Sequence, residues 1–144
     1  MNNKIHYNTV LVFGVFDLLH DGHREFLRQA GEYGEKIIAV VARDSIVQRL
    51  KNKTPQQDEE VRRQGLLVVQ NILRAELGDF ELGEYSAIKK YQPDAICLGY
   101  DQGALGEDLA LHVQSGSLPK IPIVLLEPHE PDRLHSSILT DFKK

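Results

Sequence analysis

Cysteine is nearly absent: the chain of 144 residues has one, Cys97, so no disulfide framework holds it together. A chain of this length buries roughly 68–70 % of its extended surface and folds without disulfides or a structural metal. Cys97 sits inside an apolar run, where a thiol serves packing. Long hydrophobic runs are missing too. The longest, Val10–Phe16, is broken by Gly14 and falls far short of the roughly 20 residues of a membrane helix. The segment Met1–Asn8 lacks the apolar core of a signal peptide, which makes the reducing cytoplasm the expected compartment. Nor does charge of one sign accumulate. The 17 basic and 21 acidic residues leave a net charge of −4 without a like-charge block, which excludes a general nucleic-acid binder. What remains is 42 % hydrophobic residues in a chain without repeats or linkers, the composition of one globular domain over residues 1–144.

Hydrophobic period sets the order of elements. Thr9–Phe13 and Lys36–Ala42 are continuous, β-branched apolar runs, as in strands buried on both faces. Between them Phe26, Leu27 and Ala30 recur at helical spacing from Gly22 to about Tyr33. Asp44–Lys53 reads as a short helix or turn. Asp58 heads an expected helix to about Leu73, with Val61, Val68 and Ile72 on one face, followed by an acidic stretch, Leu77–Glu84, of no definite pattern. A short helix ending at Tyr91, a strand Asp94–Leu98, a helix Glu107–Val113, a strand Pro122–Leu126 and a helix Ser136–Phe142 complete the chain. Alternating strands and helices imply a Rossmann-like three-layer α/β/α sandwich with a mostly parallel sheet. Ligands bind such sheets beyond the carboxyl ends of the strands, which directs attention to the loops after Phe13, Ala42, Leu98 and Leu126.

The first of those loops carries the strongest signal, Gly14-Val15-Phe16-Asp17-Leu18-Leu19-His20-Asp21-Gly22-His23. Glycine after a strand lets a phosphate approach the backbone, and a helix starting near Gly22 points free N–H groups at an anion. His20 and His23 can face one point at the helix mouth and stabilise charge building on phosphorus. Capping or packing histidines, and a zinc pair, are the competing readings; no third ligand has a recognisable spacing. The residues Gly14, Phe16, Asp17, His20, Gly22 and His23 fill every fixed position of GxFDxxHxGH, so the segment resembles the signature of the cytidylyltransferase-like nucleotidyltransferases.

The resemblance continues in order through Val40–Ser45, Leu50-Lys51, Glu59-Glu60-Val61-Arg62, Leu98-Gly99-Tyr100-Asp101-Gln102 and His135-Ser136-Ser137-Ile138-Leu139. It implies that Lys51 grips the triphosphate, with Lys53 as its rival, and that Arg62 holds acceptor or nucleotide phosphate, with Arg63 beside it. Gly14, Val15, Phe16, Asp17, Gly22, Gly99 and Asp101 would bind nucleotide, Asp17 orienting a histidine or metal-bound water, and Ser136 and Ser137 would cradle the β- or γ-phosphate. Taken singly, Lys51 and Arg62 read as surface charges, Asp101 as a turn residue and the serines as a helix cap. The glycerol-3-phosphate branch usually carries an Arg where Pro131 stands and a Trp, of which this chain has none; the whole combination is most similar to archaeal-type FAD synthetases.

That resemblance implies in-line attack by a phosphomonoester such as FMN on the α-phosphate of ATP or CTP, with pyrophosphate leaving. Mg2+ would travel with the nucleotide, without direct side-chain ligands, and a homodimer is what the family implies. A cytidylyltransferase acting on a sugar or alcohol phosphate is the nearest alternative. A nucleotide- or flavin-binding sensor without turnover is the alternative from another class.

Overall fold

Three runs of consecutive aliphatic residues form the middle of a sheet: β1 (Tyr7–Gly14), β2 (Gly34–Val41) and β4 (Ala95–Leu98). The computed structural model describes residues 6–128. With β3 (Ile72–Leu77) and β5 (Ile123–Leu125) at the edges, the order is β3-β2-β1-β4-β5 and every pairing is parallel. Side chains alternate across the sheet because the strand period is two. Val10, Val12, Ile37, Ala39, Ala95 and Cys97 enter one core, closed by α1 (Asp21–Tyr33) and α3 (Glu59–Leu66) through Leu27, Ala30 and Leu66. Leu11, Ile38, Val40, Ile96 and Leu98 enter the other, closed by α4 (Ser86–Tyr91) and α5 (Gly103–Ser115) through Ile88 and Leu109. The result is the three-layer α/β sandwich, parallel throughout. Cys97 is fully buried and its thiol pKa is pushed up to about 12 by desolvation, so it packs and does not react.

The chain runs outward from β1 to β3, then restarts on the other side with β4, so the strand order reverses between β1 and β4. This switch point is where a parallel sheet opens a crevice for a ligand.

Asp58 caps α3 as expected, its carboxylate accepting the Val61 N–H at 2.9 Å, but the helix stops at Leu66, well before Leu73. The expected apolar face does not exist: Val61 is 46 % and Val68 89 % exposed, while Arg62 and Leu66 are buried. Ile72 instead begins β3. Asn71, at φ 73°, breaks the helical path, and the free edge of β2 recruits Ile72–Leu77 although Leu, Arg, Ala and Glu are good helix formers. The helix expected over Ser136–Phe142 lies outside the described residues.

Candidate active site

The loops after β1, β2, β4 and β5 all reach one open cleft of about 1470 Å³ at the carboxyl edge of the sheet. They are joined by residues Gly78–Glu84 after β3, which the sequence did not single out. The volume exceeds the roughly 300–1,000 Å³ of a single-ligand pocket, leaving room for two substrates.

The β1 loop is strained and tightly held. Phe16 and Leu18, neither of them glycine, sit at φ 55° and 50°, a left-handed backbone that persists only under external constraint. The constraint comes from residues 56–62. The N–H groups of Gln56 and Gln57 donate to the Asp17 carboxylate at 2.8 and 2.9 Å, the Leu18 N–H donates to Gln57 Oε1 at 3.0 Å, and Arg62 donates to the Val15 carbonyl at 2.8 Å. Asp17 is therefore spent on this bracing and does not line the cleft. Phe16 is buried and its ring meets His23 edge-on at 5.7 Å. That ring explains Gly14: a Cβ there would lie 2.7 Å from Phe16 ring carbons, so the glycine makes way for an aromatic ring.

His20 and His23 cap their own helix. The Gly22 N–H donates to His20 Nδ1 at 3.0 Å and the His20 N–H donates to His23 Nδ1 at 3.2 Å, a reciprocal arrangement in which imidazoles replace the usual Ser and Glu. The Gly22 amide is thereby taken up by His20 instead of standing open to an anion. The two rings stack at 3.8 Å between centroids and 21° between planes. Because a backbone donor occupies each Nδ1, the neutral ring carries its proton on Nε2. Both rings line the cleft, so each has an Nε2–H to offer a ligand. Capping and ligand contact are compatible because they use opposite nitrogens.

Burial, and then the neighbouring His20, lowers the His23 pKa to about 4 against the opposing pull of Asp17 and Asp101. His23 is a neutral donor at pH 7. The unfolded chain takes up the proton near pH 6.5, so the stability of the neutral-His23 fold is complete above 6.5 and falls as pH drops toward 4. Burial raises the Asp17 pKa, but the Gln56 and Gln57 amides, Arg62 and His23 outweigh it and hold the carboxyl below the usual 3.8, adding a further loss at lower pH. Denaturation midpoints measured from pH 7 to 4 should therefore fall for the parent chain and fall less for His23→Asn. Equal slopes in that window would mean that His23 titrates normally in the folded protein.

Arg62 is not where a phosphate ligand belongs. Its side chain is 0 % exposed, and its guanidinium donates to the Gln57 carbonyl at 2.9 Å, the Val15 carbonyl and Asp44 Oδ1 at 2.6 Å. The EExR segment thus folds its arginine inward to tie the β1 loop to α2 (Asp44–Lys51). Arg63 does line the cleft but is engaged with Glu60 and the Ala75 carbonyl. Lys51, at the end of α2, is exposed on the cleft lining, whereas Lys53 is not part of it. Gly99 and Asp101 line the β4 side, where the Gly99 N–H donates to Gln102 Oε1 at 2.8 Å and Gln102 Nε2 donates to the Phe13 carbonyl at 2.9 Å, closing the switch point. Ser136 and Ser137 lie outside the described residues.

Arg43, quoted within the Val40–Ser45 segment, and Phe80 were given no role by the sequence, yet they meet in the cleft. Arg43 directly follows the Val40–Ala42 run, and its guanidinium lies 3.6 Å from the ring centroid of Phe80, a residue of the patternless acidic stretch. Its position after a strand end was the available signal for Arg43; Phe80 had none, because β3 itself was unseen.

Among the described residues no three His, Cys, Asp or Glu side chains gather as metal ligands, and no helix is long and apolar enough to cross a membrane. The donors present fit Mg2+ as an ion coordinated chiefly by substrate phosphates and water, with Asp101 as a cleft carboxylate able to add one oxygen.

A parallel sheet whose first strand delivers paired imidazoles to an open cleft is the setting of a nucleotidyltransferase, the class to which the relatives assign the chain. The chain belongs to the cytidylyltransferase-like family, whose model matches residues 11–113. It is similar to FAD synthase of Aciduliprofundum boonei, 45 % identical over 134 residues covering 93 % of this chain and 88 % of that protein. The FAD synthase of Thermococcus kodakarensis is 33 % identical over 95 % and 92 % of the two chains. Among solved structures, a lipopolysaccharide core biosynthesis protein from Thermoplasma volcanium superposes with a TM-score of 0.75 at 30 % identity, over 86 % of this chain and 99 % of that one.

Proposed function

We infer that this nucleotidyltransferase is an FMN adenylyltransferase, joining AMP from ATP to the phosphate of FMN with release of pyrophosphate. The observation that carries nucleotidyl transfer is the histidine pair, whose capped Nδ1 atoms leave two Nε2–H donors on a cleft wide enough for two substrates. The choice of FMN and ATP rests on the relatives named FAD synthase, which match along nearly the whole chain.

In this reading a phosphate oxygen of FMN attacks the α-phosphorus in line, the bond to the bridging oxygen breaks, and pyrophosphate departs with the electron pair. An ionised phosphate needs no general base, so the protein positions the substrates and stabilises charge. His20 and His23 donate to the α-phosphate and bridging oxygens, where charge grows in the transition state. Lys51 holds the triphosphate as a mobile point charge, Gly99 and Asp101 border the nucleotide at the switch point, and Ser136 and Ser137 complete the phosphate cradle. Arg62 acts at one remove by bracing the β1 loop. Mg2+ supplies charge neutralisation on the phosphates when bound.

The test is pyrophosphate release from ATP and CTP against FMN, glycerol 3-phosphate and a heptose phosphate. Release with ATP and FMN alone is the expected outcome; transfer to the heptose phosphate would move the reading toward the sugar-phosphate alternative. Nucleotide or flavin binding with no release across the grid would leave the sensor. Lys51→Ala should raise the KM for the nucleotide about tenfold or more, the scale of one lost charge-assisted hydrogen bond, with Lys53→Ala near normal. An unchanged KM in Lys51→Ala would remove Lys51 from the site.

A further inference from the structure

The cleft divides at β1. On one side is the switch point with Gly99 and Asp101; on the other, the loop after β3 carries Phe80 beside Arg43. Phe80 is 62 % exposed, yet its ring is held in place. Arg43 lies against one face at 3.6 Å and is itself immobilised, donating through Nε to the Gly78 carbonyl at 2.8 Å and through a terminal nitrogen to Glu59 at 3.2 Å. Gly78 in turn donates its N–H to the Val41 carbonyl at 2.8 Å, fixing the loop to the end of β2. A guanidinium held this way presents an aromatic face in a set orientation. Leu50 and Leu82 also line the cleft.

We propose that Phe80, backed by Arg43, is the platform on which the planar ring system of the acceptor stacks, and so a determinant of acceptor specificity. This rests on the FMN reading above and adds to it the place where the flavin is recognised. Three features commit the platform to a flat, conjugated and largely apolar group. A stacked ring covers the exposed face of Phe80, Leu50 and Leu82 add apolar lining to the cleft, and the acidic neighbours Asp79, Glu81 and Glu84 repel a phosphate. The acceptor's phosphate therefore points toward the histidines and its ring toward β3. The reach agrees: β1 and β3 are separated by two strand spacings, about 10 Å, comparable to a ribityl chain between phosphate and ring. A sugar or glycerol phosphate has no ring to cover Phe80.

The test is FMN binding followed by flavin fluorescence, with steady-state KM values for FMN and ATP, in the parent chain, Phe80→Ala and Phe80→Tyr. Stacking on Phe80 predicts quenched flavin emission in the parent, a loss of FMN affinity of about tenfold or more in Phe80→Ala with the KM for ATP unchanged, and recovery in Phe80→Tyr. A parent chain that makes FAD while Phe80→Ala binds FMN normally would overturn the platform and leave the FMN reading standing. A parent chain that neither binds FMN nor makes FAD, but transfers to another phosphomonoester, would overturn both.

Discussion

Replacing His20 or His23 by asparagine is expected to lower turnover about 10²–10³-fold, the scale of losing one donor to a developing oxyanion, while leaving the helix capped. Asparagine Oδ1 stands about where imidazole Nδ1 stands, so it can accept the Gly22 or His20 N–H that each ring now accepts. What it lacks is a donor at the Nε2 position. The alanine variants remove both functions and should show the same fall in turnover together with about 1 kcal/mol of lost stability. Glutamine, whose amide reaches the Nε2 position, should recover part of the activity if it can orient its NH2 group. Single-turnover rates beside denaturation midpoints separate the two effects. Near-normal turnover in either asparagine variant would show that the histidines serve only as caps.

Arg62→Met should produce the largest loss of stability from a single polar replacement. The substitution strands the Val15 and Gln57 carbonyls and leaves Asp44 without its cation, only the Glu59 N–H remaining on its carboxylate, and removing one member of a buried pair costs about 3–5 kcal/mol. The Asp44 side chain is 35 % exposed and keeps some contact with water, which places the expectation near about 3 kcal/mol. Lysine should not rescue, because a single ammonium cannot serve three acceptors arranged for a planar fork. Turnover should fall as well: Val15, Phe16 and Asp17 are held in a strained loop by residues 56–62, and Phe16 supports His23. A phosphate-binding arginine behaves differently, with its loss raising a substrate KM at unchanged stability. A denaturation midpoint in Arg62→Met equal to that of the parent would contradict the bracing role.

The site and the platform together describe a division of labour along the sheet edge. In the proposed reading chemistry lies at the β1 loop, whose strained backbone is braced by residues 56–62, while recognition spreads to the switch point on one side and β3 on the other. Constraint suits the first, since donors aimed before the reaction need no reorganisation during it.

Much of this was legible in the sequence because it is local. Runs such as Val10–Phe13 and Ile37–Val41 read as buried strands, since every residue of each run has a core to face. The strand–turn–helix with Gly14, His20, Gly22 and His23 lies within ten residues, so its signature followed from adjacency, while the Rossmann-like class followed from the alternation of strands and helices along the chain. Tertiary structure decided the rest. Arg62 reads as a site arginine until its partners Val15 and Asp44 are seen, 47 and 18 residues away, closing around it. Ile72–Leu77 has helical composition, and only the open edge of β2 makes it a strand; with that strand come Gly78, Phe80 and the far half of the cleft. Local pattern thus gave the central strands, the helix after β1 and the family signature, but not β3. The tertiary structure decided which charges are buried and which surfaces meet, because burial and pairing depend on contacts between distant segments that no local pattern encodes.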